Sequence, residues 1–265
     1  MLFRSESFTL YQTFIQKDLG KTLERIANNG WHEFYTGKTA DMIEACMLRT
    51  DGLITKKDLQ NYHAVERNPI SFIYREYEVH SMPPASSGGI TIAGILNQLE
   101  NIHLDSLDYH SAQHIHFVAE AERRVYADRA EFMGDMDFVP VPIDRLISDQ
   151  YAQVRWNSVD SIIASKSDYV SHGDIPFNYK ESEETTHYSV VDQWGNAVSV
   201  TTTINGWFGN GIVVDGAGFL LNNEMDDFSA KPGVPNAYGL IGNAANAIEP
   251  GKRMLSSMSP TIVET

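Results

Sequence analysis

Two runs of alternating side chains, residues 187–192 and 197–205, flank the turn segment Gln193-Trp194-Gly195-Asn196 and constrain the fold more tightly than any other stretch. The pattern predicts a β-hairpin, because strands send successive side chains to opposite faces and a Gly-containing turn lets the chain double back. Period 2 puts Ser199, Thr201, Thr203 and Asn205 on one face of the second strand and Val198, Val200, Thr202 and Ile204 on the other. With a loop of two or four residues, Asp192 faces Ala197 and Thr185 falls opposite Ile204. A loop differing by one residue moves the partner of Thr185 to Thr203 or Asn205. Thr185 is thus expected to lie beside a polar strand face.

The first third of the chain reads as helical. Leu10, Tyr11, Phe14, Leu19, Leu23 and Ile26 share one helical face across residues 8–29, with Gly30 as the stop. Residues 39–49 fit a second helix, and Thr55-Lys56-Lys57-Asp58 resembles a capping box that opens a short third one. Residues 70–82 turn β-branched and aromatic, which predicts a strand or hairpin ended by Pro83-Pro84. The following Ala85-Ser86-Ser87-Gly88-Gly89 lacks the Lys and spacing of a phosphate-binding loop, so a tight turn into an apolar helix over 90–99 is expected. The longest helix is predicted over 111–133. Its charge run (Glu122, Arg123, Arg124, Asp128, Arg129, Glu131) reads as a solvated or ion-paired face. Residues 135–179 are weakly periodic, and Lys180-Glu181-Ser182-Glu183-Glu184 reads as an exposed connector.

Charge narrows the function. A net charge of -15 argues against nucleic acid as a partner, because neutralising phosphates takes a basic footprint. A small-molecule or peptide substrate fits better. The single Cys46 forms no internal disulfide. His110, His114 and His116 lie close together, but no Glu-x-x-His context accompanies them, and no metal is expected. Residues 1–6 lack the layout of a signal peptide, and no apolar run is long enough for a membrane span. Residues 260–265 read as a strand that stops mid-course.

A threonine hydroxyl inside a chain is a poor nucleophile, since nothing beside it takes its proton. A cut before Thr185 would supply an α-amino group with a pKa of about 8, which serves as the base. One residue then provides both nucleophile and base. Taken alone, Thr185-Thr186 is more often ordinary strand propensity, and the chemistry permits the nucleophile reading without selecting it.

The stretch Thr185-Thr186-His187-Tyr188-Ser189-Val190-Val191-Asp192 resembles the self-processing junction of the γ-glutamyltransferases (glutathione hydrolases), which belong to the N-terminal nucleophile hydrolases. The similarity continues, in family order, through Thr203-Ile204-Asn205, residues 221–228 (LNNEMDDF), Lys231-Pro232-Gly233, Tyr238-Gly239-Leu240 and residues 255–260 (LSSMSP). Upstream, Gln16-Lys17-Asp18-Leu19, Asp58-Leu59 and residues 82–89 (MPPASSGG) resemble the large subunit. The resemblance implies that Thr185 attacks the Glu184 carbonyl to cut the precursor, and afterwards the γ-glutamyl carbonyl of the substrate, forming an acyl-enzyme. It implies that Thr203 orients the Thr185 hydroxyl, that Asn205, Glu224 and Asp227 hold the substrate's α-amino group, and that Ser256 and Ser257 bind its α-carboxylate. Tyr238 falls where some members carry a lid tyrosine that meets the asparagine equivalent to Asn205.

The implied fold is α+β, the four-layer α/β/β/α sandwich of N-terminal nucleophile hydrolases, incomplete at both ends. Residues 1–184 would be the C-terminal part of a large subunit and 185–265 the N-terminal part of a small one, the two pairing after cleavage. Expected substrates are glutathione and γ-glutamyl amides, with water, amino acids or dipeptides as acceptors, no cofactor, and a periplasmic or secreted location. Family members also carry an upstream arginine for the substrate carboxylate and a downstream Gly-Gly oxyanion hole. This sequence contains neither, so the chain alone is expected to turn over little. The alternatives are a related acylase, a poly-γ-glutamate hydrolase, or a non-catalytic fragment.

Overall fold

The computed structural model describes residues 9–172, 185–231, 233–234 and 242–265. It is a mixed α/β structure with two small sheets, and it divides into two compact units. Glu184 and the connector 180–184 lie outside the described residues, as does Tyr238.

The first unit comprises Met1–Glu66 and Ile204–Asn223. Its helices are α1 (Lys17–Asn29), α2 (His32–Tyr35), α3 (Lys38–Thr50) and α4 (Lys56–Asn61). The helix predicted over 8–29 starts later than expected: Tyr11 takes a left-handed φ of 68°, which breaks any helix through it, and Gln16 offers no side-chain cap. The capping box forms as read, with Thr55 and Asp58 exchanging side-chain and backbone hydrogen bonds. Ile43 and Cys46 of α3 pack on Val214 and Ala217 of the returning segment, which doubles back where Val213 bridges Leu220. Inside this unit Arg25 donates to Thr22, Glu33 and Thr39, so the buried Glu33 carboxylate is matched.

The second unit comprises Arg67–Thr203 and Glu224–Thr265. Strands β1 (Ile70–Tyr74) and β2 (Tyr77–Ser81) form the predicted hairpin. Beyond them in sequence lie the helices α5 (Gly88–Leu99), α6 (Ala112–Phe132), α7 (Ile143–Leu146) and α8 (Asp149–Trp156), then β3 (Thr186–Val191), β4 (Ala197–Thr202) and β5 (Thr261–Glu264). Strand β5 pairs antiparallel with β2, from Glu78 opposite Glu264 to Ser81 opposite Thr261, giving a sheet of order β1-β2-β5. Strands β3 and β4 form the second sheet. Alternate residues Ile70, Phe72 and Val79 of the larger sheet meet Ile90 and Ala93 of α5, with Met133, Leu146 and Leu255 closing the core. The short helices α7 and α8 went unread, because four- and eight-residue elements show little periodicity.

The charge run on α6 is ion-paired, but much of it is buried rather than solvated. Glu120 and Arg124, one helical turn apart, are 0% and 1% exposed and bond at 2.6 Å. Ser165 donates to Glu120, while Arg124 donates to Ser158 and to the Arg155 carbonyl. Asp128 accepts from Tyr151 at 2.9 Å and faces Arg155 at 3.2 Å, yet burial pushes its carboxyl up to about 6.

Candidate active site

The hairpin closes through a loop of residues 193–195, and this sets the register. Asp192 Oδ1 accepts from the backbone N–H groups of Trp194 and Asn196 at 2.9 Å each, and Asp192 Oδ2 accepts from the Asn196 side chain at 2.7 Å. Gly195 takes φ +86°, a conformation that strains any residue with a Cβ. Asp192 therefore pairs with Asn196, donating its N–H to that carbonyl at 3.0 Å, and not with Ala197. The partner of Ala197 is Val191, one residue away from the register of a two- or four-residue loop. The pairing runs back to Thr186 opposite Thr202, so its next step aligns Thr185 with Thr203 rather than Ile204.

Beyond that pair the polar face continues. His187 lies opposite Thr201, its Nδ1 2.8 Å from Thr201 Oγ1, and its Nε2 is 3.3 Å from Ser189 Oγ. Ser199 Oγ accepts from the Thr261 backbone N–H at 3.1 Å, tying this face to β5.

Ser256 and Ser257 sit where β5 is approached. The Ser256 carbonyl accepts from the Ser87 N–H at 2.9 Å and the Ser87 hydroxyl at 3.0 Å, and the Ser256 N–H donates to the Ala85 carbonyl at 2.9 Å. Ser86 Oγ donates to the Met258 carbonyl at 2.6 Å. The Ser-Ser-Gly-Gly segment is thus the expected tight turn into α5, and it is also a clamp on the serine pair. Gly88 is required by close approach: a Cβ there would stand 2.5 Å from the Met258 carbonyl oxygen. Arg129 of α6 donates through Nε to Ser87 Oγ at 2.9 Å and through Nη2 to Ser257 Oγ at 3.1 Å.

Glu224 and Asp227 share a single 3-10 turn. Burial, with repulsion from Asp227 adding to it, pushes the Glu224 carboxyl up to about 7. The buried Asn246 joins this turn to the serine segment, donating to the Asp227 carbonyl at 2.7 Å and accepting from the Leu255 N–H at 3.0 Å. Asn205, in the first unit, adopts φ +70°, which asparagine tolerates, and its side chain donates to the Asn223 carbonyl at 3.3 Å.

The sequence does not mark Arg129, Asn246 or Ser86-Ser87 as contacts of the serine segment. The run Ser86-Ser87-Gly88-Gly89 was the available signal, since adjacent hydroxyls before a helix offer donors that a plain turn does not need. Among the described residues no group of His, Cys, Asp and Glu could hold a metal ion, and His116 instead contacts the Asp160 carbonyl at 2.8 Å. No helix among these residues is long and apolar enough to cross a membrane.

A sequence model described as gamma-glutamyltranspeptidase matches residues 2–265. The glutathione hydrolase proenzyme of Escherichia coli is 54% identical over 252 residues, covering 95% of this chain and 43% of that protein. The proenzyme of the same name from Pseudomonas aeruginosa is 50% identical over 254 residues, 95% of this chain and 44% of its own length. Among solved structures, gamma-glutamyltranspeptidase from Helicobacter pylori is 43% identical with a TM-score of 0.58, over 60% of this chain and 46% of that one. A cephalosporin acylase from Bacillus halodurans is 26% identical with a TM-score of 0.73, over 94% and 41%. The chain spans less than half the length of these relatives.

Proposed function

The chain belongs to the gamma-glutamyltranspeptidase family, and on that premise we propose that it carries the nucleophile of an enzyme that hydrolyses or transfers the γ-glutamyl group of glutathione and related compounds. The observation that best supports this reading is the β3–β4 register, which ends at Thr186 opposite Thr202 and, carried one step further, would set Thr185 against Thr203 at the head of a polar strand face.

The mechanism begins with a cut. Thr185 Oγ attacks the Glu184 carbonyl, the peptide nitrogen leaves as the amine of Thr185, and water hydrolyses the resulting ester. The freed α-amino group, with a pKa of about 8, then takes the hydroxyl proton when Thr185 attacks the γ-glutamyl carbonyl of a donor. The donor's amine leaves with that proton. Water or an acceptor amine finally resolves the γ-glutamyl ester and restores the threonine.

Thr203 accepts or donates one hydrogen bond that aims the Thr185 hydroxyl. Glu224 and Asp227 hold the donor's ammonium, which carries three N–H donors suited to carboxylate oxygens. The family resemblance adds Asn205 to that role and a lid role for Tyr238. Ser256 and Ser257 donate to the α-carboxylate. In this reading residues 1–184 end a large subunit and 185–265 begin a small one, within the four-layer α/β/β/α sandwich of N-terminal nucleophile hydrolases.

Mass spectrometry of the protein expressed with whatever sequence flanks this chain in its gene tests the proposal. Scission between Glu184 and Thr185 is expected, and its loss in Thr185→Ala together with γ-glutamyl anilide hydrolysis. An uncut protein with full activity would sink the mechanism.

A further inference from the structure

Arg129 is a cation in an unusual setting. It stands in the last turn of α6, where positive charge is common, but it is only 5% exposed, and burying a guanidinium is costly unless its donors are matched. The guanidinium has N–H donors and no acceptor, so every hydroxyl it meets must take the bond through its oxygen. Ser87 Oγ does so at 2.9 Å and Ser257 Oγ at 3.1 Å, while the Tyr126 ring lies 6.0 Å from the guanidinium carbon.

A hydroxyl has a single proton to give. That of Ser87 goes to the Ser256 carbonyl at 3.0 Å, so Ser87 relays the hold of Arg129 onto the backbone of the serine pair. Ser257 is exposed, and with its oxygen facing Arg129 its proton is left to be donated away from the helix. The result is a hydroxyl donor turned outward with a buried positive charge directly behind it, an arrangement that suits an anion.

We propose that Arg129 is a positioning residue of the α-carboxylate subsite: it orients the Ser257 hydroxyl as a donor, steadies Ser256 through Ser87, and so selects donors with a free carboxylate. The proposal rests on the reading of Ser256 and Ser257 given under Proposed function.

The test compares two anilides on the expressed enzyme. γ-Glutamyl anilide has both the amine and the carboxylate; 4-aminobutanoyl anilide keeps the amine and lacks the carboxylate. Arg129→Lys keeps the charge but cannot span both hydroxyls. It is expected to raise KM for γ-glutamyl anilide about tenfold, to leave kcat within about twofold, and to leave KM for 4-aminobutanoyl anilide unchanged. In a Ser257→Ala background the same substitution should add little, because the two residues act as one unit. Equal effects on both substrates, or full additivity with Ser257→Ala, would overturn the role of Arg129. If Ser257→Ala itself fails to discriminate between the anilides, the carboxylate reading of the serines falls and takes the proposal with it. Should Arg129→Lys not fold, Ser87→Ala removes the Nε partner and must show the same carboxylate-selective rise, on the order of threefold.

Discussion

Glu224 is the residue through which pH enters the proposed chemistry. Its carboxyl is held at about 7 by burial and then by Asp227, so near neutral pH it carries a proton part of the time. A donor ammonium needs the ionised form. KM for γ-glutamyl anilide is therefore expected to rise about tenfold per pH unit below 7, and Glu224→Gln should give a weaker but flat profile over that range. An inflection that survives in Glu224→Gln would assign it to another group. For folding the sign is that of any carboxyl with a raised pKa: the neutral form suits the site, so this contribution is full below pH about 4.5 and lost as pH rises through about 7. At this scale the sequence singles out residues that sit in ordered motifs, as Thr185, Thr203 and Ser256-Ser257 do. It was uninformative for Arg129, because a helix with charges at many positions does not say which of them turns inward.

Among the elements, the β3–β4 hairpin shows how a local detail decides a strand register. Alternation located both strands, but the loop was read as two or four residues, and the structure closes it over 193–195. The difference lies in side-chain chemistry: Asp192 gathers the N–H groups of Trp194 and Asn196, and Gly195 supplies the left-handed residue that turns the chain. Gly195→Ala is expected to destabilise the fold by about 1–2 kcal/mol, seen as a shifted midpoint in urea unfolding; an unchanged midpoint would mean the loop relaxes to another turn at no cost. Helix α6 teaches the converse. Its length was legible, whereas the burial of Glu120 and Arg124 depends on Ser158 and Ser165, from a weakly periodic stretch.

For the molecule as a whole, the sequence placed helices first and strands around Thr185, and the mixed α/β character follows from that order. What it withheld is the long-range pairing. Strand β5 joins β2 from more than a hundred residues away, and local pattern contains no record of a partner at that distance. That pairing, the Ser86-Ser87 clamp and the Arg129–Ser257 bond all connect residues before Thr185 to residues after it. The backbone link at 184–185 is therefore dispensable to these attachments, and inheritance need not keep the two halves in one reading frame. Two separate genes, one ending at Glu184 and one starting (after methionine removal) at Thr185, should yield polypeptides that co-purify as a stoichiometric pair, with the proposed nucleophile already at a chain start. Recovery of the two products as independent species would show that the attachments form only while the chain is whole.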